Sequence, residues 1–269
     1  MHPPADTKAL PVFDAHLHII DGRFPLVPNQ GYLPAPFSAD DYLQRMRGYR
    51  LAGGAVVSGS FQAFDQAYLL AALGTLGPSF VGVTQIPATV ADEELVKLDA
   101  AGVRAVRFNL KRGGSEAVGQ LERMALRVHE LVGWHVELYV DAKALPELKQ
   151  TLLALPAVCI DHLGLSQAGF ADLLELVAHG VHVKATGFGR IDFDARTALR
   201  EIVAVNPDAL LFGTDLPSTR APRPYRDDDF TLLRDTLGDE LARKVLCDNA
   251  VAFYRPGIVA TDRAPITSN

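Results

Sequence analysis

The sequence predicts a closed eight-stranded (β/α)8 barrel of the TIM type, and three features carry that prediction. Eight short apolar, β-branched runs alternate with amphipathic stretches of helical period, a pattern that calls for parallel strands joined by helical crossovers. The 269 residues suit one α/β barrel, so a single domain spanning 1–269 is expected, with a doubly wound open sheet as the alternative. Polar residues collect at the C-terminal ends of several runs, where barrel enzymes keep their reactive groups.

The first run is VFDAHLH, from Val12 to His18. Side chains alternate across a strand, which places Asp14, His16 and His18 on one face and Phe13, Ala15 and Leu17 on the other. Asp14 then lies below the two histidines, where it hydrogen-bonds a core neighbour. The Pro-rich stretch FPLVPNQGYLPAPF (24–37) is long for a strand-to-helix connection, and such loops at a barrel mouth shape the site. ADDYLQRMRGYRLAG reads as the first helix and GAVVSGS as the second strand. DQAYLLAALGTLG, FVGVTQI, ADEELVKLDAAG and VRAVRFN continue the alternation, followed by EAVGQLERMALRVHELVG, HVELYVD and ALPELKQTLLAL. AVCIDHL is the sixth strand, VHVKATG the seventh and ALLFGTD the eighth, with FADLLELVAHG and TALREIVAVN between them. ELARKVLCDNAVAFY closes the outer ring. Gly53, Gly102, Gly133 and Gly180 stand where helices stop, and the tail TDRAPITSN reads as disordered.

A formal charge of −6 argues against nucleic acid or an anionic membrane surface as partner. No run approaches eighteen uninterrupted apolar residues, and the N-terminus has no basic start followed by an apolar stretch. A cytoplasmic protein acting on a small molecule is the expectation; nothing in the sequence specifies an oligomeric state. Cys159 and Cys247 sit in apolar surroundings without a partner motif and read as buried free thiols.

His16 and His18 end the first strand, His162 the sixth and Asp215 the eighth. By parity, Val158, Ile160 and His162 share one face, as do Leu211, Gly213 and Asp215, so the four polar groups are expected to converge at one mouth. His129 and His179 fall on helices, His135 and His182 begin strands at the opposite end, and His2 lies in the N-terminal tail. None of these is expected to be a ligand.

This ordered set, with the words FDAHLHI, VRAVRFN, DHLG, VKATG, GTDLPSTRA and DNAVAFY, resembles the amidohydrolase superfamily over nearly the whole chain. It resembles most the amidohydrolase-2 branch and the lactonases related to 2-pyrone-4,6-dicarboxylate lactonase. The resemblance implies a hydrolase that opens a carboxylated lactone by water attack. Asp215 is the implied general base, with His16, His18 and His162 polarising the carbonyl or holding one divalent ion with Asp215. Imidazole and carboxylate ligands suit zinc or manganese, whereas the related pyrone lactonases are understood to work without metal, so no cofactor or one divalent ion is expected. The inward face of the fifth strand, His135, Glu137, Tyr139 and Asp141, offers no lysine for a binuclear centre. A metal-dependent decarboxylase of an aromatic or unsaturated acid is the alternative from the same branch. A binding protein with a vestigial site is a third reading, disfavoured because all four positions are filled.

Basic residues crowd the expected mouth of this acidic chain, which points to a small anionic substrate. Arg107, Arg112 and Arg190 are the candidates, since a guanidinium binds a carboxylate through two parallel hydrogen bonds. Lys111 reads equally as a solvated cation, Lys184 as structural, and Arg220, Arg223 and Arg226 as a salt-bridged loop. Tyr32, Ser60 and Tyr139 resemble substrate-holding positions of the lactonases. In those lactonases an arginine follows the sixth-strand histidine by three residues; here Leu165 stands there, which suggests one carboxylate fewer in the substrate.

Overall fold

The computed structural model describes residues 10–258; His2 and the tail 261–269 lie outside them. Eight parallel strands pair in sequence order: β1 (Pro11–Leu17), β2 (Arg50–Val57), β3 (Phe80–Thr84), β4 (Val103–Asn109), β5 (His135–Tyr139), β6 (Val158–Ile160), β7 (His182–Ala185) and β8 (Leu210–Phe212). The barrel closes between β1 and the residues after β8. A parallel bridge joins Leu17 to Leu216, the Asp215 amide donates to the His16 carbonyl and the His18 amide to the Leu216 carbonyl, both at 2.7 Å. The closing seam therefore sets Asp215 beside the two histidines.

The outer helices are α1 (Ala39–Arg45), α2 (Ala67–Leu76), α3 (Asp92–Ala100), α4 (Leu121–Val132), α5 (Leu145–Ala154), α6 (Phe170–Ala178), α7 (Ala195–Val205), α8 (Asp227–Arg243) and α9 (Asn249–Tyr254). α4 shows why they form: Leu121, Met124, Ala125 and Val128 recur at helical spacing and are buried, and Gly133 ends the helix in the left-handed region. Val106, Phe108, Val136, Leu138 and Val183 of the strands fill the layer beneath the helices. Ala55, Val57, Val83, Ala105 and Leu211 fill the barrel interior with Phe13 and Tyr254. Both cysteines are free and buried. Among the described residues no helix is long and apolar enough to cross a membrane.

Three sequence expectations are corrected. Gly53 does not stop a helix; it lies in β2, where a Cβ would sit 2.1 Å from the Ser79 carbonyl. Asp14 does not share the face of His16. Phe13 turns inward to stack on Tyr254 at 5.6 Å, while Asp14 accepts from Tyr42 of α1 and from the Thr214 amide and hydroxyl. A register irregularity between Asp14 and Leu17 then resets the alternation, and His16 enters the interior. In β6, Val158 and Ile160 face the helices and Cys159 the interior. His162 reaches the mouth through a left-handed backbone, φ 53°, just past the strand.

The closed end holds a histidine pair around Phe253. His182 stacks on that ring at 4.0 Å and His135 meets it at 4.1 Å. Burial pushes His182 down from 6.5 to about 4. Its folded value lies below its unfolded one, so its stabilising contribution is full above pH 6.5 and is lost as pH falls towards 4. Between pH 7 and 4.5 this group should cost about 2 kcal/mol. His182→Gln should lose correspondingly less stability over that interval in urea unfolding; equal losses in both proteins would refute the assignment.

Candidate active site

The strand ends surround an open cavity whose wall includes His18, Tyr139, His162, Arg190, Asp215 and Arg220. His16 lies just beneath, closed to solvent, its ring 5.0 Å from that of His18 and 4.8 Å from that of His162. The structure thus brings His16, His18, His162 and Asp215 together, three on the cavity wall and one under it. His162 and Asp215 both have positive φ, 53° and 60°, a conformation that costs a non-glycine residue energy and concentrates at functional sites.

Asp215 is held asymmetrically. Its Oδ2 accepts from Arg190 Nε at 2.7 Å, and Arg190 Nη2 lies at the same distance and donates to the Thr219 carbonyl. Its Oδ1 is buried without a hydrogen bond, 3.7 Å from His18 Nε2 and 3.9 Å from His16 Nε2. Burial, the largest single influence, would raise this carboxyl, but the Arg190 charge and the surrounding histidines together outweigh it and keep Asp215 below the usual carboxylate range, ionised. Burial lowers His16 to about 3 and His162 well below its ordinary value, so both are neutral rings. His18 Nδ1 lies 2.7 Å from the Val57 carbonyl. A carbonyl only accepts, so Nδ1 carries a proton, and in the neutral ring Nε2 presents a lone pair to Asp215 Oδ1. Two acceptors face each other there and call for something electropositive between them.

Beneath lies a charged layer that the sequence reading did not assemble. Asp161, inward on the strand that ends at His162, accepts from Arg107 Nη2 at 2.8 Å. Arg107 Nη1 donates to the Ser58 carbonyl at 2.6 Å. Lys184 of β7 donates to Glu137 Oε2 at 2.5 Å and lies 3.4 Å from Asp161 Oδ1. The pattern was visible as charged residues at interior parity on adjacent strands, but cross-strand partners depend on register.

The remaining candidates divide by partner. Arg107 and Arg190 each neutralise a buried carboxylate. Lys111 pairs with Asp141 at 2.9 Å and Arg223 with Asp229 at 2.8 Å, and the Arg226 amide donates to Asp229 at the start of α8. The Arg112 guanidinium has no carboxylate partner among the described residues; its backbone amide is anchored by Asn109. Arg220 is no salt-bridged loop residue. It lines the cavity, donates to Asn29 Oδ1 and Ser60 Oγ at 2.9 Å, and stacks 4.6 Å from the Tyr32 ring. Desolvation, then the adjacent Arg112 charge, hold it below the usual arginine range. Tyr32 and Ser60 therefore support a cation, while Tyr139 packs edge-on against His162 at 4.9 Å. Leu165 is buried and is not part of the cavity wall, so its difference from the lactonases leaves no gap there.

Residues 13–255 match the amidohydrolase family. The chain belongs to that family. It is 29% identical to the 2-pyrone-4,6-dicarboxylate hydrolase of Comamonas testosteroni over 276 residues, 90% of each chain. It is 26% identical to the D-galactarolactone isomerase of Agrobacterium fabrum over 268 residues, again 90% of each. An apo crystal structure from Agrobacterium tumefaciens superposes with a TM-score of 0.82 at 23% identity, covering 96% of this chain and all of that one, a likeness of fold.

One glycine of this amidohydrolase is fixed by the site. Gly187 has φ 61°, and a Cβ there would lie 2.6 Å from His162 Nδ1 and 2.9 Å from Arg190 Cδ. Gly187→Ala should keep the barrel yet displace both side chains, lowering kcat/KM about 10²-fold. A folded variant with unchanged kcat/KM would show that neither group needs its present position.

Proposed function

We propose that the protein hydrolyses a lactone bearing a carboxylate, by attack of water on the ring carbonyl. One observation carries the reading. Asp215 Oδ1 and His18 Nε2, two acceptors 3.7 Å apart, face a cavity whose wall bears two guanidiniums without carboxylate partners, Arg112 and Arg220. A water donating to both acceptors keeps a lone pair free for the carbonyl, and Asp215 accepts its proton as the tetrahedral anion forms. Arg190, the Tyr139 hydroxyl and the His162 ring N–H, all on the cavity wall, would stabilise that anion. His18, with its proton committed to Val57, receives from water and does not polarise the carbonyl. Arg112 and Arg220 seat the carboxylate. The names of the two relatives, a pyrone dicarboxylate hydrolase and a galactarolactone isomerase, support a lactone as substrate.

The donor set also fits one divalent ion. His18 Nε2 and Asp215 Oδ1 are free acceptors, and the Val57 carbonyl orients His18 as outer groups orient metal-binding histidines. His16 Nε2 would complete the set with its ring proton on Nδ1. When bound, zinc or manganese would supply a more acidic water.

The test is turnover of a panel of carboxylated and neutral lactones by the isolated enzyme, with its metal content measured and carbon dioxide monitored from aromatic acids. Ring opening of carboxylated lactones is expected. Carbon dioxide release without lactone turnover would replace this reading with a decarboxylase.

A further inference from the structure

We propose that Asn29 is a positioning residue that sets substrate specificity: it ties Arg112 and Arg220, the two guanidiniums of the cavity wall without carboxylate partners, into one seat for a substrate carboxylate and consumes the charge of neither. The proposal rests on the lactonase reading for the identity of that carboxylate and on geometry for the rest. Asn29 Nδ2 donates to the Arg112 carbonyl at 3.1 Å, and Asn29 Oδ1 accepts from Arg220 Nη2 at 2.9 Å. The two ends of the amide are not interchangeable here, since a carbonyl only accepts and a guanidinium only donates. Arg220 Nη1 also donates to the Asn29 carbonyl at 3.3 Å. One residue of the first loop thus joins the loop after β4 to the loop after β8.

Asn29 is itself held by a tight turn. Gln30 and Gly31 both have positive φ, 52° and 74°, and the amides of Asn29 and Tyr32 donate to each other's carbonyls at 3.0 and 3.1 Å, the arrangement of a two-residue hairpin. The same turn delivers the Tyr32 ring to the Arg220 guanidinium, and the Val27 amide anchors the loop to the Phe61 carbonyl at 2.8 Å. None of the partners Asn29, Ser60 and Tyr32 brings a carboxylate to Arg220. Asn29→Asp would lose the bond to the Arg112 carbonyl and pair with Arg220, spending the charge that the substrate needs. Two cations held near each other repel, and an anion bound to both relieves that repulsion. A neutral amide at position 29 therefore keeps the seat selective for a carboxylate.

The test compares Asn29→Ala and Asn29→Asp with the unmodified enzyme on a carboxylated lactone and on its uncharged carboxamide. For the carboxylated lactone KM should rise about 3- to 10-fold in Asn29→Ala and about 10- to 100-fold in Asn29→Asp, with kcat within about threefold in both. For the carboxamide both constants should stay within about threefold. A KM for the carboxylated lactone left unchanged by either variant overturns the proposal. So does an equal rise on the two compounds, which would make Asn29 merely a brace of its loop. Failure of the lactonase reading shows separately, as no turnover of either compound by the unmodified enzyme. The same comparison is then read as Kd by calorimetry: a preference for the carboxylate that Asn29→Asp abolishes supports the seat, and a preference absent from the unmodified protein or retained by Asn29→Asp overturns it.

Discussion

Asp215→Asn should lower kcat about 10²- to 10⁴-fold while KM changes only a few-fold, because removing a general base costs that much and leaves binding groups in place. The amide keeps the shape of the carboxylate. Its oxygen can still accept from Arg190, which turns its NH2 towards His18 Nε2 and puts a donor where the water proton must be received. The fold should survive, since the seam bonds at Asp215 and His18 are made by backbone. Asp215→Ala is a poorer test, for it strands the largely buried Arg190 charge and mixes loss of stability with loss of base. Steady-state kinetics on the best lactone of the panel, with circular dichroism to confirm folding, checks the result. Turnover within threefold of the unmodified enzyme would remove Asp215 from the chemistry.

Why the barrel could be read from sequence is clear in the strands. VRAVRFN and HVELYVD alternate cleanly, because Ala105, Arg107 and Asn109 face inward while Val106 and Phe108 meet helices, and each period-2 face has one environment. The same rule failed wherever backbone left the ideal strand. A bulge in β1 separated Asp14 from His16, and positive φ, not parity, delivered His162 to the mouth, whereas Leu211, Gly213 and Asp215 do share the inward face. The cations were legible as a group but not in their division of labour. Arg107 and Arg220 look alike in sequence; one is spent on Asp161 and the other is free because the first long loop, through Asn29 and Tyr32, supports it. Contacts spanning 191 residues have no local signal.

That division gives the other large expected effect. Arg112→Met and Arg220→Met should each reduce kcat/KM for a carboxylated lactone about 10- to 150-fold, the worth of a lost charge-assisted hydrogen bond of about 1.5 to 3 kcal/mol. A neutral lactone should be affected less than threefold. Arg107→Met should behave differently: it leaves Asp161 buried without its 2.8 Å partner, so it costs about 3 to 5 kcal/mol of stability and impairs both substrates together. With Arg112 and Arg220 both engaged by one carboxylate, and Arg107 and Arg190 already matched by Asp161 and Asp215, a second substrate carboxylate finds no unmatched cation on the cavity wall and would be desolvated at a cost. A lactone with one carboxylate should therefore be used better than its dicarboxylate analogue. Measuring kcat/KM for neutral, mono- and dicarboxylated lactones on the three variants separates these roles. Equal losses on neutral and charged substrates in the Arg112 and Arg220 variants would mean that the free guanidiniums hold the loops and not the substrate.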